Sequence, residues 1–135
     1  MRISGKNSKA PRPTCGGEHG AAAVEFVLIA PVVLLVFLLL VQWAVRLEAE
    51  RAVQAAAREG AVATARWDGT ETTGRQTALD YLSRLDPHLS NRSAQATREV
   101  DNAEVTVEGD VLSLIPFVDL RVHATAVTSV ERFVP

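Results

Sequence analysis

Thiols are almost absent from this sequence: Cys15 is the single cysteine, and it lies ahead of the long apolar run. The part that follows the run therefore has no disulfide, and its fold must rest on packing alone. Lysine is equally scarce, with Lys6 and Lys9 both near the N-terminus and every later basic residue an arginine. The three histidines, His19, His88 and His123, have no second ligand at metal-binding spacing, which speaks against a metal site. There is no nucleophile with a base at its side and no paired carboxylates in an evident cleft. No glycine-rich phosphate loop follows a strand, and no basic patch is interleaved with aromatics, so neither nucleotide nor nucleic acid is expected as a ligand. We expect no enzyme, no cofactor and no small-molecule substrate.

What is present is a run from Phe26 to Val45 in which Gln42 is the only strongly polar residue. As a helix this run is about 30 Å long, the hydrocarbon thickness of a bilayer, so a membrane-spanning segment is expected over 26–45. Arg2, Lys6, Lys9 and Arg12 precede it, while most of the acids follow it. Basic residues are retained on the cytoplasmic side, which predicts an N-terminus inside and everything after Arg46 exported across a plasma membrane crossed once. Residues 1–19 are polar and punctuated by Gly and Pro, and read as a disordered cytoplasmic tail. The apolar run is longer than a secretory signal core, and Arg46-Leu47-Glu48 after it offers no small-x-small cleavage site. Pro31 removes one intrahelical hydrogen bond and should bend the helix. No Gly-x-x-x-Gly occurs in the run, so a tight dimer through the span is not indicated.

Glu25 stands directly before the span, and an acid in or beside lipid costs free energy, which invites a functional reading. A short basic leader ends in Gly20, small residues Ala21-Ala22-Ala23 follow, and Glu25-Phe26 opens the apolar helix. This arrangement resembles the processing site of type IV pilin-like proteins. With Pro31 and the Ala-rich continuation through Ala56–Ala61, it resembles more particularly the TadE-like minor pseudopilins of tight-adherence (Flp) pilus systems. The resemblance implies cleavage between Gly20 and Ala21 by a prepilin peptidase, with Glu25 and Phe26 as recognition and assembly residues. It further implies that other pilins or pseudopilins and a membrane assembly platform are partners, besides the lipid bilayer, and that the chain ends up in the membrane or in a surface pilus. A cut there would release an α-amine on Ala21, one helical turn from Glu25 and also within reach of a neighbouring subunit. The alternative reading is an uncleaved single-pass signal anchor that presents a small binding or regulatory domain.

Beyond Arg46 the helical period continues to about Arg66. Ala49, Ala52, Val53, Ala56, Gly60 and Ala63 form one stripe, and Arg46 and Glu50 form a pair four residues apart on another face. Trp67-Asp68-Gly69-Thr70 breaks the period as a loop. Thr73 and Gln76 read as a capping box for a short helix from about Gly74 to Leu85, stopped by Asp86-Pro87. Residues 88–102 read as polar and irregular. From Ala103 the period becomes two, with Gly109-Asp110 as a two-residue hairpin turn, a second strand over Val111–Ile115, and a third over Leu120–Val130. The expected class is α+β: a leader (1–20), a membrane helix with its amphipathic extension (21–66), and a small extracytoplasmic domain (67–135) with a short helix and a three-stranded antiparallel sheet.

Overall fold

The computed structural model describes Met1 and residues 18–114 and 118–131. Two helices precede three strands: α1 (Glu18–Ala65), α2 (Glu71–Leu85), β1 (Ser90–Arg98), β2 (Asn102–Val111) and β3 (Leu120–Ser129). The class is α+β, with a long apolar N-terminal helix, a short second helix and an antiparallel sheet in the order β1-β2-β3. The chain divides into two compact units, residues 1–36 and 37–135.

In the first unit the backbone is already helical at Glu18, two residues ahead of Gly20, and α1 continues through Pro31. The expected disordered tail lies outside the described residues at positions 2–17. Val24, Phe26, Val27, Leu28, Ile29, Val32, Val33, Leu34, Leu35 and Val36 are all exposed. A helix that is apolar all round and unburied needs an apolar surrounding to be stable. It is long and apolar enough to cross a membrane.

The second unit is built on the C-terminal half of α1. Ala49, Ala52, Val53, Ala56, Gly60 and Ala63 are all buried, as the stripe predicts, and Arg46 Nε lies 2.9 Å from Glu50 Oε1 on the outer face. Small side chains let the next element come close. A Cβ on Gly60 would lie 2.8 Å from Ala78 Cβ on α2 and 3.1 Å from Val105 Cγ1 on β2. A Cβ on Gly74 would fall on the hydroxyl of Thr64, which is fully buried and donates 2.8 Å back to the Gly60 carbonyl. The two helices thus meet through glycine on both sides. Among the described residues Leu82, Val53, Val105 and Val107 are the largest fully buried apolar side chains, and no aromatic residue of that set joins the core.

Helix α2 begins earlier than its capping pattern suggests. The cap is Thr70, whose hydroxyl accepts from the Thr73 amide at 3.1 Å, and Glu71 occupies the first turn. Thr73 therefore lies inside the helix, where its hydroxyl pairs with that of Thr70 at 2.8 Å. Asp86 ends the helix as expected.

The sheet has the expected number of strands and the expected meander, but it is assembled from different segments. Gly109-Asp110 does not turn. A tight two-residue turn with glycine first needs positive φ at that glycine, and Gly109 does not have it. Instead β2 runs straight through to Val111, paired with β1 on one side and β3 on the other. The missing strand is β1, in the stretch read as irregular. Only Ala94 of its residues is buried, so it carries almost no apolar signature of its own. It is held by its ladder to β2 and by α2 packed against it. Val111 ends β2, and Leu112–Leu114 is not strand; Ile115 lies outside the described residues. In β3, Val122 and Ala124 point inward and Arg121, His123, Thr125 and Ser129 outward, in the expected alternation.

Candidate functional site

The residues singled out by sequence all lie on the first part of α1. Gly20, Glu25, Phe26 and Pro31 are exposed there, and Ala21 is in the same helical backbone. On a helix Glu25 sits one turn C-terminal to Ala21, so the two positions share a face. Among the described residues nothing forms a hydrogen bond or ion pair with Glu25. Its neighbours along the chain, Val24, Phe26 and Val27, are 62%, 72% and 68% exposed, so the carboxylate stands in a wholly apolar and uncovered setting. Such a group is costly in a low-dielectric surrounding until a cation meets it.

Gly20 differs from the glycines of the second unit. Nothing lies within 4 Å of the place where its Cβ would be, so neither a close approach nor a left-handed backbone asks for glycine at that point. A helical glycine costs roughly 1 kcal/mol against alanine. The reason for it is therefore to be sought outside the folded chain.

The described residues of the second unit hold no comparable cluster. Among the described residues there is no group of three or more His, Cys, Asp or Glu side chains that could hold a metal ion. His123 is on the outer face of β3 opposite Glu108, and His88 follows the end of α2. A groove beside His123 is open and lined by Gln54, Arg58, His123 and the Ala124–Val127 segment, with no carboxylate in its lining.

Three polar features of this unit were not foreseen. Gln42, the polar exception in the apolar run, is only 6% exposed; its Oε1 accepts the Leu114 amide at 2.7 Å, and its Nε2 makes a longer contact of 3.5 Å to the Leu112 carbonyl. Arg98, at the end of β1, uses one guanidinium nitrogen to reach the carbonyls of Arg66 and Gly69, each at 2.7 Å, and that of Thr64. The Glu131 amide donates 3.0 Å to the Ala65 carbonyl. The carbonyls at and just beyond the end of α1 are thus met by the sheet, in place of the basic last turn that α1 lacks. At the other end of the sheet, Asp110 accepts from Asn91 Nδ2 at 2.8 Å and from Arg121 Nε at 3.0 Å, which joins all three strands. The Asn91 hydrogen bond first, and then that of Arg121, hold the Asp110 carboxyl below its usual range, and the same carboxylate raises the Arg121 guanidinium further. The oddity of Gln42 within its run was a usable signal; Arg98 and Asn91 gave none.

Residues 20–62 match the model of a family described as TadE-like protein, about a third of the chain. No curated protein and no solved structure matches it. The matched stretch opens at the unexplained Gly20, includes Glu25 and the apolar run, and closes on the buried small-residue stripe; over residues 20–62 this chain is similar to the TadE-like family.

Proposed function

We propose that the chain is a minor pseudopilin of a Flp/Tad-type pilus or a related secretion apparatus. It enters the membrane with its N-terminus in the cytoplasm, is cut after Gly20 by a prepilin peptidase, and is held by α1 until it is assembled with other pilins. The observation that carries this reading is Glu25: a carboxylate on an exposed apolar helix, five residues after a glycine that the folded chain does not need. Cleavage at Gly20 leaves the amine of Ala21 at the head of the same helix, and the reference pKa of an α-amine, about 7.7–8.0, leaves it largely cationic at neutral pH. Glu25 of one subunit against the amine of a neighbour converts two costly groups into a pair and fixes their axial register.

The helix already formed at Glu18–Gly20 adds a condition. A peptidase needs extended backbone, so the first turn of α1 has to open before the cut, and glycine there lowers the cost of opening. The reading assigns the second unit no catalysis; its task is to present a surface to partners in the assembly.

The test is Glu25→Ala in cells that carry the assembly machinery. The proposal expects normal cleavage and loss of the protein from purified pili, while wild type is recovered in them. Full incorporation of Glu25→Ala would remove the pairing argument.

A further inference from the structure

We infer that the segment following β2 is a second membrane contact: Leu112 and Leu114 insert into the outer interfacial layer of the bilayer beside α1. The inference rests on the reading of α1 as a membrane anchor, and it lies wholly within the unit of residues 37–135.

Four observations meet at this place. Leu112 and Leu114 are 67% and 48% exposed, although the core of the same unit is made largely of small aliphatic residues that are fully buried. The segment is fastened to Gln42, three residues inside the end of the apolar run, by the Leu114 amide and the Leu112 carbonyl. One α-helical residue rises about 1.5 Å, so this fastening puts the segment about 5 Å below the level of Val45 along α1. Trp43, beside Gln42, is 63% exposed, and tryptophan gathers at the level of lipid headgroups. Finally, no ionisable residue occurs between Asp110 and Asp119.

These facts favour lipid over a protein groove as the occupant. Irregular backbone entering an apolar layer must have its N–H and C=O groups met from within the protein. Gln42 does this for Leu114 with a short bond, which explains why an amide interrupts an otherwise apolar run. The Asp110–Arg121 pair stands at the base of the segment, where β2 and β3 begin to pair, and is exposed enough to remain in water while the leucines do not. The apolar surface of Leu112 and Leu114 is continuous in kind with Phe37, Leu39, Leu40 and Trp43 on α1, all exposed in the same unit.

The experiment uses the full chain in phosphatidylcholine/phosphatidylglycerol vesicles. Cys15→Ser removes the native thiol, and single cysteines replace Leu114, Leu112, Leu38 or Glu104, each labelled with an environment-sensitive fluorophore. Nitroxides on the lipid chains report contact with the bilayer. Leu38 lies in the apolar run, and Glu104 is exposed near the far end of β2, seven residues from Val111 and about 23 Å along the strand. The expected result is a blue-shifted, nitroxide-quenched signal at Leu114 and Leu112, most strongly by nitroxides placed near the headgroups, with deep quenching at Leu38 and none at Glu104. Quenching at Leu38 without any at Leu114 or Leu112 would overturn the inference while leaving the anchor intact. A blue-shifted but unquenched signal at both leucines would assign the segment to a protein neighbour and overturn it likewise. No quenching at Leu38 would bring down the membrane anchor itself, and this inference with it.

Discussion

Gly74 and Gly20 are both helical glycines, and their surroundings separate two kinds of reason for the residue. At Gly74 a methyl group would collide with the buried Thr64 hydroxyl and lie 2.9 Å from the Gly60 carbonyl, so the crossing of α1 and α2 requires its absence. Gly74→Ala is expected to lower the stability of the full chain by about 1–3 kcal/mol, the usual cost of overpacking, despite the better helix propensity of alanine. Urea unfolding of the second unit followed by circular dichroism in detergent checks this. Gly20→Ala has open space around it and should leave that transition unchanged, while the proposed processing at Gly20 is lost. A drop in stability at Gly20→Ala would show that the folded chain does need the glycine. Asp110 gives the residue scale a pH dependence. Its carboxyl is held below the unfolded range by Asn91 and Arg121, so its contribution is present at neutral pH and fades as the pH falls through the ordinary carboxylate range toward its lowered folded value. Asp110→Asn should flatten the acid limb of a stability curve and leave the region above neutrality parallel to wild type.

At the scale of elements, the ends of helices carry the informative contacts. The carbonyls of Thr64 near the end of α1 and of Arg66 and Gly69 just beyond it are met by Arg98, which comes from another element entirely. Arg98→Ala leaves those acceptors without the charged donor, and a loss of about 2 kcal/mol is expected in the same urea experiment. Arg98→Lys, a point charge without the planar fork, should recover only part of it. The dependence of α1 on β1 also explains what could and could not be read beforehand. The stripe from Ala49 to Ala63 and the alternation in β3 were legible because periodicity is a property of a single element. The strand Ser90–Arg98 was not, because its sequence buries a single alanine and its state is decided by β2 and α2. Gly109-Asp110 misled for the same reason: local turn chemistry lost to pairing on both sides of β2, with Asp110 held by Asn91 and Arg121. For α2, the Thr73–Gln76 spacing pointed to a later start, whereas Thr70 is the cap and the acid that follows it, Glu71, lies in the first turn.

For the whole molecule, the division of labour follows the distribution of apolar surface. Exposed leucines, valines and phenylalanines are concentrated on α1 before residue 46, whereas beyond that point the second unit buries its own small aliphatic core beneath a sheet with polar outer positions. Gly20, Glu25 and Phe26 could be singled out because they form a pattern along one stretch of chain, placed against an apolar run, and the role given to them belongs to the proposed function. Gln42 was visible only as an exception, since its partners lie some seventy residues away. The central claim is that this chain becomes functional by gaining a new amino terminus one turn before Glu25. The most direct measurement is the intact mass and N-terminal sequence of the protein extracted from membranes of cells with a working prepilin peptidase. The account predicts a chain that begins at Ala21; a chain recovered uniformly with Met1 and its whole leader attached would contradict it.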